Sequence, residues 1–118
     1  MTDKKKIVMK GTKHERPRDI RFMHSRRGEL SYDGARFPCL IQDISVSGVS
    51  GICARNLEVA QELEVSFDLT PEHVHRCVIR VHHVEHGCFG AEIVDIGGQE
   101  RKVFHHYLEK RFKELKRR

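Results

Sequence analysis

The sequence predicts a mainly-β protein, a small antiparallel barrel of six strands followed by a C-terminal α-helix. Two observations predict this fold. Apolar side chains recur at a period of two in short segments separated by turn residues, as half-buried strands do. After Gly97-Gly98 the apolar period becomes that of an amphipathic helix, at Val103, Phe104, Tyr107, Leu108, Phe112 and Leu115. A chain of 118 residues is long enough for one such domain with a single core.

The strands are predicted at about 21–32, 36–43 and 49–53, within 57–69, and at about 74–84 and 88–95. Asp33-Gly34 between the first two is a strong signal for a hairpin turn. The fourth segment has the clearest alternation, at Leu63, Val65, Phe67 and Leu69, and is broken at Thr70-Pro71-Glu72. Gly87 marks the turn between the last two strands. These turns favour antiparallel neighbours and therefore a barrel.

The chain divides into three predicted parts within one domain. Residues 1–19 carry few apolar side chains, many charges and Pro17, which predicts a flexible basic N-terminal arm. Residues 20–97 form the barrel, and residues 98–118 form the C-terminal helix of the same domain.

The charge of the chain favours anionic partners in general. It holds 22 Lys and Arg against 17 Asp and Glu, a net charge of +5, and the cations concentrate in residues 4–27 and 101–118. No apolar run approaches the roughly 18 residues of a membrane span, and no signal-peptide core is present near Met1. We therefore expect a cytoplasmic protein without a transmembrane segment. Its cysteines are spread over separate strands, which favours buried, reduced thiols: Cys39, Cys53, Cys77 and Cys88.

A polar turn between the second and third strands is the strongest candidate for a ligand site. The run from Asp43 to Gly48 combines a carboxylate, two hydroxyls and a glycine, and the glycine would permit positive φ or close approach of a ligand. The simpler interpretation is a hairpin corner in which Asp43 and Ser45 satisfy local backbone groups. An arginine-rich segment, Glu15 to Phe22, precedes this turn by about one hairpin.

Together these two segments resemble the PilZ domain, a family that binds cyclic di-GMP. Its members carry two arginines separated by three residues, then Asp or Asn, any residue, Ser, any two residues and Gly. Asp43, Ser45 and Gly48 match the second motif completely. With Arg21 as the second arginine, the first would fall at Pro17, which Arg16 and Arg18 flank. The resemblance covers about residues 14–110 and also implies the barrel.

The resemblance implies a ligand site formed by Arg16, Arg18, Arg21, Asp43, Ser45 and Gly48. Arginine suits cyclic di-GMP because a guanidinium can grip a phosphate, pair with guanine O6 and N7, or stack on the purine. Asp43 would accept from guanine N–H groups, Ser45 would bond to phosphate or base, and Gly48 would leave space. Pro17 lacks both a guanidinium and a backbone donor, which weakens this motif.

The functional hypothesis is a cyclic di-GMP receptor whose ligand orders the N-terminal arginine arm and changes binding to a protein partner of unknown identity. The alternative is a ligand-independent, PilZ-like adaptor with a degenerate nucleotide site. Nucleic-acid binding through the basic helix is a third and weaker hypothesis.

We expect neither an enzyme nor a metal site, and no cofactor besides the nucleotide ligand. The sequence has no nucleophile elbow, phosphate-binding glycine loop or paired catalytic carboxylates. His73, His75 and Cys77 would share one face of a strand, but His82 and His83 would point oppositely and no metal-ligand spacing is reproduced. We expect the histidines to be exposed side chains on strands or loops.

Overall fold

The structure, a computed structural model, describes residues 20–117, and the strands of this region form an antiparallel barrel. The strands are β1 Phe22–Tyr32, β2 Ala35–Ile44, β3 Gly48–Cys53, β4 Glu62–Thr70, β5 His73–Glu85 and β6 Cys88–Asp95. Around the barrel they follow the order β1-β2-β3-β6-β5-β4, and β4 pairs with β1 to close it. This confirms the predicted six-stranded barrel. The predicted arm at residues 1–19 lies outside the described residues.

Two tight turns define the hairpins that were predicted from sequence. Asp33 and Gly34 have φ of 52° and 83°, and His86 and Gly87 have φ of 51° and 82°. Two successive residues with positive φ are typical of a type I′ turn, whose twist matches that of the flanking strands.

The fourth strand, predicted within 57–69, starts only at Glu62. Residues 57–61 form a turn in which the Gln61 amide donates to the Glu58 carbonyl at 3.1 Å.

The core follows the period-two alternation of the strands. On β4 the four alternating apolar residues are each at most 2% exposed: Leu63, Val65, Phe67 and Leu69. They belong to one cluster to which every strand contributes. Cys39, Cys53 and Cys77 are buried in it as reduced thiols, whereas Cys88 is exposed, against expectation, because it starts β6 on the outer face.

The C-terminal helix α1, Gly98–Lys116, is docked onto the barrel by a few large side chains. Phe104 and Leu108 are completely buried and join the barrel core. Burying such a side chain contributes roughly 1.5–3 kcal/mol, so packing rather than helix propensity holds α1 in place. Leu115, near its C-terminal end, is 47% exposed. The helix formed within residues 20–117 is too polar to count as a bilayer-spanning segment.

Candidate functional site

The turn between β2 and β3 is held together by its own serine. The Ser45 amide donates to the Gly48 carbonyl at 2.9 Å, and the Gly48 amide donates back to Ser45 Oγ at 3.2 Å. Ser45 is only 2% exposed. In the structure its hydroxyl therefore serves the shape of the turn, as a side-chain oxygen commonly does in such corners.

Gly48 is required by its neighbour on β6 rather than by an unusual backbone conformation. A Cβ placed on Gly48 would lie 2.3 Å from the Ala91 carbonyl oxygen. Its φ is not positive. Gly48 pairs with Glu92, and the Ile93 amide donates to the Ser47 carbonyl at 2.8 Å. The turn is therefore pressed against β6, and a side chain at Gly48 would push the two strands apart.

Arg21 and Asp43 bring the two separate sequence motifs together. The Arg21 Nε donates to Asp43 Oδ1 at 2.6 Å, and Arg21 Nη2 lies 2.5 Å from the same oxygen. The side chains are 47% and 34% exposed, so both are accessible to a ligand. Met23 lies opposite Asp43 in the β1–β2 pairing, which places Arg21, the residue before β1, beside the turn. Arg16 and Arg18 lie outside the described residues.

Irregular strand pairing shapes this end of the barrel. The β1–β2 register shifts between Met23 and Arg26, and Ser25 in that interval has a positive φ of 49°. The β2–β3 register shifts between Ile41 and Asp43. Such bulges bend strands and redirect side chains, and they are common next to binding sites.

A row of exposed charges runs away from the turn across the outer surface. Gly48 pairs with Glu92, Glu92 with Arg80, and Arg80 with Glu62. Arg80 bonds Glu62 at 2.7 Å and lies 3.7 Å from Glu92. Sequence reasoning did not place Arg80 or Glu92 near the motif turn. Alternation along β5 puts Arg80 on the outer face, but only the strand register shows that it lies two strands from Gly48.

A groove of about 330 Å³ lies on the other side of the turn, between β6 and α1. Val46 of the turn and Ile93 and Ile96 supply apolar surface, and Arg101 and His105 of α1 supply polar and cationic groups. The turn and α1 therefore line the same groove.

A second polar cluster ties the start of α1 to β5. Glu100 accepts from His73 Nε2 at 3.0 Å and from His75 Nδ1 at 2.6 Å, and the His75 ring stacks on Phe104 with centroids 4.3 Å apart. His75 is fully buried and His24 is 7% exposed, so the expectation of exposed histidines is wrong for both. Alternation on β5 indicated that His75 shares a face with Cys77, but the covering helix was not foreseen.

Burial lowers the pKa of His75, and the hydrogen bond that its ring donates to Glu100 acts in the opposite direction. Burial likewise lowers the pKa of His24, although its ring bonds the Asp68 carbonyl at 2.8 Å. Within residues 20–117, no group of three or more His, Cys, Asp or Glu side chains is arranged to hold a metal ion.

Comparison with known proteins identifies the family. The sequence pattern of the PilZ domain matches residues 13–110, most of the chain. This chain belongs to the PilZ domain family. The match confirms the resemblance inferred from the turn motif and the strand pattern. No curated protein sequence matches the chain closely enough to be a relative.

Several solved structures share the fold. The inhibitor of motility MotI (DgrA) of Bacillus subtilis is 15% identical, with a TM-score of 0.69, over 84% of this chain and 51% of that chain. YcgR of Escherichia coli, in complex with cyclic di-GMP, is 14% identical, with a TM-score of 0.61, over 84% and 49%. PlzA of Borreliella burgdorferi, also with cyclic di-GMP, is 21% identical, with a TM-score of 0.55, over 71% and 33%. This PilZ chain spans about half or less of their lengths.

Proposed function

We propose that this PilZ protein is a cyclic di-GMP receptor without catalytic activity. The observation that carries the proposal is the contact between Arg21 and Asp43 beside an intact Asp-x-Ser-x-x-Gly turn. It joins a guanidinium from the arginine segment to the carboxylate of the turn on an accessible surface. Membership of the PilZ family, and the cyclic di-GMP in the YcgR and PlzA structures, support the same ligand.

The site residues have complementary roles in this proposal. Both contacts of Arg21 go to Asp43 Oδ1, which leaves Oδ2 to accept from a guanine N–H. Arg21 then offers its remaining N–H groups to a phosphate or a guanine edge. Ser45 and Gly48 keep the turn in shape and so hold Asp43 in place for the ligand. Arg16 and Arg18 are the candidates for the second arginine of the site.

Energetics favour rearrangement of the ion pair by a ligand. An exposed pair of this kind is worth roughly 0–1 kcal/mol. A hydrogen bond between a charged side chain and a ligand group contributes about 1.5–3 kcal/mol. The Arg21 side chain can therefore exchange part of its contact with Asp43 for a contact with phosphate at a net gain.

Titration calorimetry with cyclic di-GMP tests the proposal. We expect saturable binding by the unmodified protein, and weakening of about tenfold or more in Arg21→Ala and Asp43→Ala. Arg36→Ala is the matched control, since Arg36 is an exposed arginine at the opposite end of β2 from Asp43. Absence of binding heat together with absence of amide chemical-shift changes in the unmodified protein would rule out the receptor function.

We further propose that the ligand orders residues 1–19 against the barrel and so changes binding to a protein partner. A ligand shifts such an equilibrium only by its difference in affinity for the two states. Hydrogen exchange of residues 1–19 should therefore slow on adding cyclic di-GMP in the unmodified protein. It should slow less in Asp43→Ala at the lowest concentration that saturates the unmodified protein, because that variant binds more weakly.

Pro17, at the position where the family motif has an arginine, favours a second candidate function, a ligand-independent adaptor. In that case a protein partner would bind equally well after removal of residues 1–19. Leu115→Glu, a charge placed on an exposed apolar position of α1, would abolish partner binding. Under the receptor proposal, removal of residues 1–19 should instead abolish the effect of cyclic di-GMP on partner binding.

A further inference from the structure

Arg111 of α1 connects the C-terminal helix to the first residues of β1. Its Nη2 donates to the backbone carbonyl of Met23 at 3.1 Å, and its Nη1 donates to the hydroxyl of Tyr107 at 3.0 Å. Met23 is the residue opposite Asp43 in the β1–β2 pairing and lies two positions after Arg21. The guanidinium of the helix thus contacts the backbone that carries the arginine of the proposed ligand site.

The planar guanidinium is held by more than these two hydrogen bonds. It lies over the Phe22 ring, 5.2 Å from the centroid, and 5.8 Å from the centroid of the Tyr107 ring. Tyr107 in turn meets the buried His24 edge-on, with centroids 6.0 Å apart. A lysine at position 111 could donate to one carbonyl but could not reproduce the forked hydrogen bonds and the ring contacts together.

The segment that Arg111 contacts is where β1 is least regular. The register shift between Met23 and Arg26, with Ser25 at positive φ, interrupts the pairing with β2 directly after Met23. In the β1–β4 pairing, the paired residues of β1 start only at Gly28. Side-chain contacts therefore have a larger share in positioning this segment than they have in a regular strand. Within residues 20–117 three such contacts are present: Arg21 to Asp43, His24 to the Asp68 carbonyl, and Arg111 to Met23.

We propose that Arg111 is a positioning residue for the cyclic di-GMP site, which holds the start of β1 so that Arg21 faces Asp43. This inference rests on the proposed receptor function. Because Arg111 belongs to α1, the same contact links nucleotide binding to the docking of the last two turns of the helix. Linkage is reciprocal, so bound nucleotide stabilises the docked helix as much as the docked helix favours nucleotide.

Calorimetry on three variants tests the effect on affinity. Arg111→Ala should weaken cyclic di-GMP binding about fivefold or more, in the usual range of coupling between sites. Arg111→Lys should show a smaller loss, because one donor to the Met23 carbonyl is retained. Lys113→Ala is the matched control, since it removes an exposed cation from the same helix and should bind like the unmodified protein. Equal affinities in all variants would overturn the proposal.

Hydrogen exchange separates positioning from a general effect on stability. In the unmodified protein, nucleotide should slow exchange in residues 107–116 of α1. In Arg111→Ala, measured at saturating nucleotide, that slowing should be lost although the ligand is bound. A residue that only stabilised the fold would leave the nucleotide-dependent slowing in place, and that result would contradict the inference.

The protein without ligand supplies a measurement that does not depend on the proposed function. Arg111→Ala should speed exchange of the amides of residues 22–26, and Lys113→Ala should not. If the unmodified protein binds no cyclic di-GMP, the receptor function and its linkage to α1 both fail. The positioning of β1 by Arg111 is then decided by this exchange result alone, and unchanged rates would overturn it.

Discussion

The carboxylate of Glu100, in the first turn of α1, accepts a hydrogen bond from the buried Nδ1 of His75 on β5 at 2.6 Å. Nδ1 therefore carries the proton in the neutral ring. The other nitrogen, Nε2, is buried and has no hydrogen-bond partner among the described residues. Protonating it would create a buried N–H without an acceptor, which opposes the favourable attraction between the imidazolium and Glu100.

This arrangement predicts that stability falls on acidification. Burial lowers the pKa of His75 below its ordinary value of 6.5, despite Glu100 and with a further small lowering from His73. As the pH falls, the unfolded chain therefore binds a proton at His75 more readily than the folded chain does. The free energy of unfolding is highest above about pH 6.5 and decreases below it. His24, whose pKa is also lowered by burial, acts in the same direction.

Urea unfolding across pH 5 to 8 checks this, with the pH range set by the ordinary histidine pKa of about 6.5. His75→Phe keeps a ring against Phe104 and should show a weaker pH dependence than the unmodified protein. His106→Gln, which changes an exposed histidine of α1, is the control for the loss of an imidazole. An unmodified protein whose stability rises as pH falls from 7 to 5 would contradict the assignment of His75 as a neutral buried ring.

Gly48→Ala should destabilise the barrel by about 1–3 kcal/mol, the usual cost of forcing extra volume into a packed site. The added Cβ would lie 2.3 Å from the Ala91 carbonyl oxygen, and backbone cannot yield as a flexible side chain can. Urea unfolding measures the change. Gly98→Ala, at the first residue of α1, is the control, because a Cβ there meets nothing within 4 Å and alanine is favoured over glycine in a helix, so no stability should be lost. Equal stability of the two variants would show that β6 gives way at the turn.

Much of the barrel could be predicted from sequence because its causes are local. The alternation on β4 and the left-handed residues at Asp33-Gly34 are properties of neighbouring residues, and both appear in the structure as predicted. The turn motif was also recognisable, since Asp43, Ser45 and Gly48 lie within six positions.

Features that depend on distant parts of the chain were not predictable in this way. His75 is buried because Glu100 and Phe104 cover it, and these come 25 or more residues later. The requirement for glycine at position 48 comes from the backbone of β6 rather than from the turn itself. In each case the decisive contact is set by strand register or helix docking, which no local pattern encodes.

Cys88 should be the reactive thiol of the folded protein. It is exposed, whereas Cys39, Cys53 and Cys77 are buried. Burial raises the pKa of Cys39 and of Cys77 to about 12 each, which keeps them as unreactive neutral thiols near neutral pH. An aromatic disulfide reagent should therefore modify one thiol rapidly in native protein and the rest only after denaturation. Rapid modification that persists in Cys88→Ser would contradict this assignment.

The substitution Pro17→Arg tests whether the arginine segment limits affinity for cyclic di-GMP. It places a guanidinium four positions before Arg21, the spacing of the family motif, and returns a backbone N–H that proline lacks. One added charge-assisted contact of about 1.5–3 kcal/mol should tighten binding roughly ten- to a hundredfold by calorimetry. Pro17→Ala is the control, because it relaxes the backbone without adding a guanidinium, and it should gain little.

Two outcomes would contradict this expectation in different ways. If Pro17→Arg binds no more tightly than the unmodified protein, then Arg16 or Arg18 already supplies the second guanidinium, and Arg16→Ala or Arg18→Ala should identify which one by weakening binding. If Pro17→Ala gains as much as Pro17→Arg, the limit is the fixed φ of proline rather than the missing charge. In the Asp43→Ala background the gain should shrink, because the added arginine would act on a ligand that has lost its guanine contact.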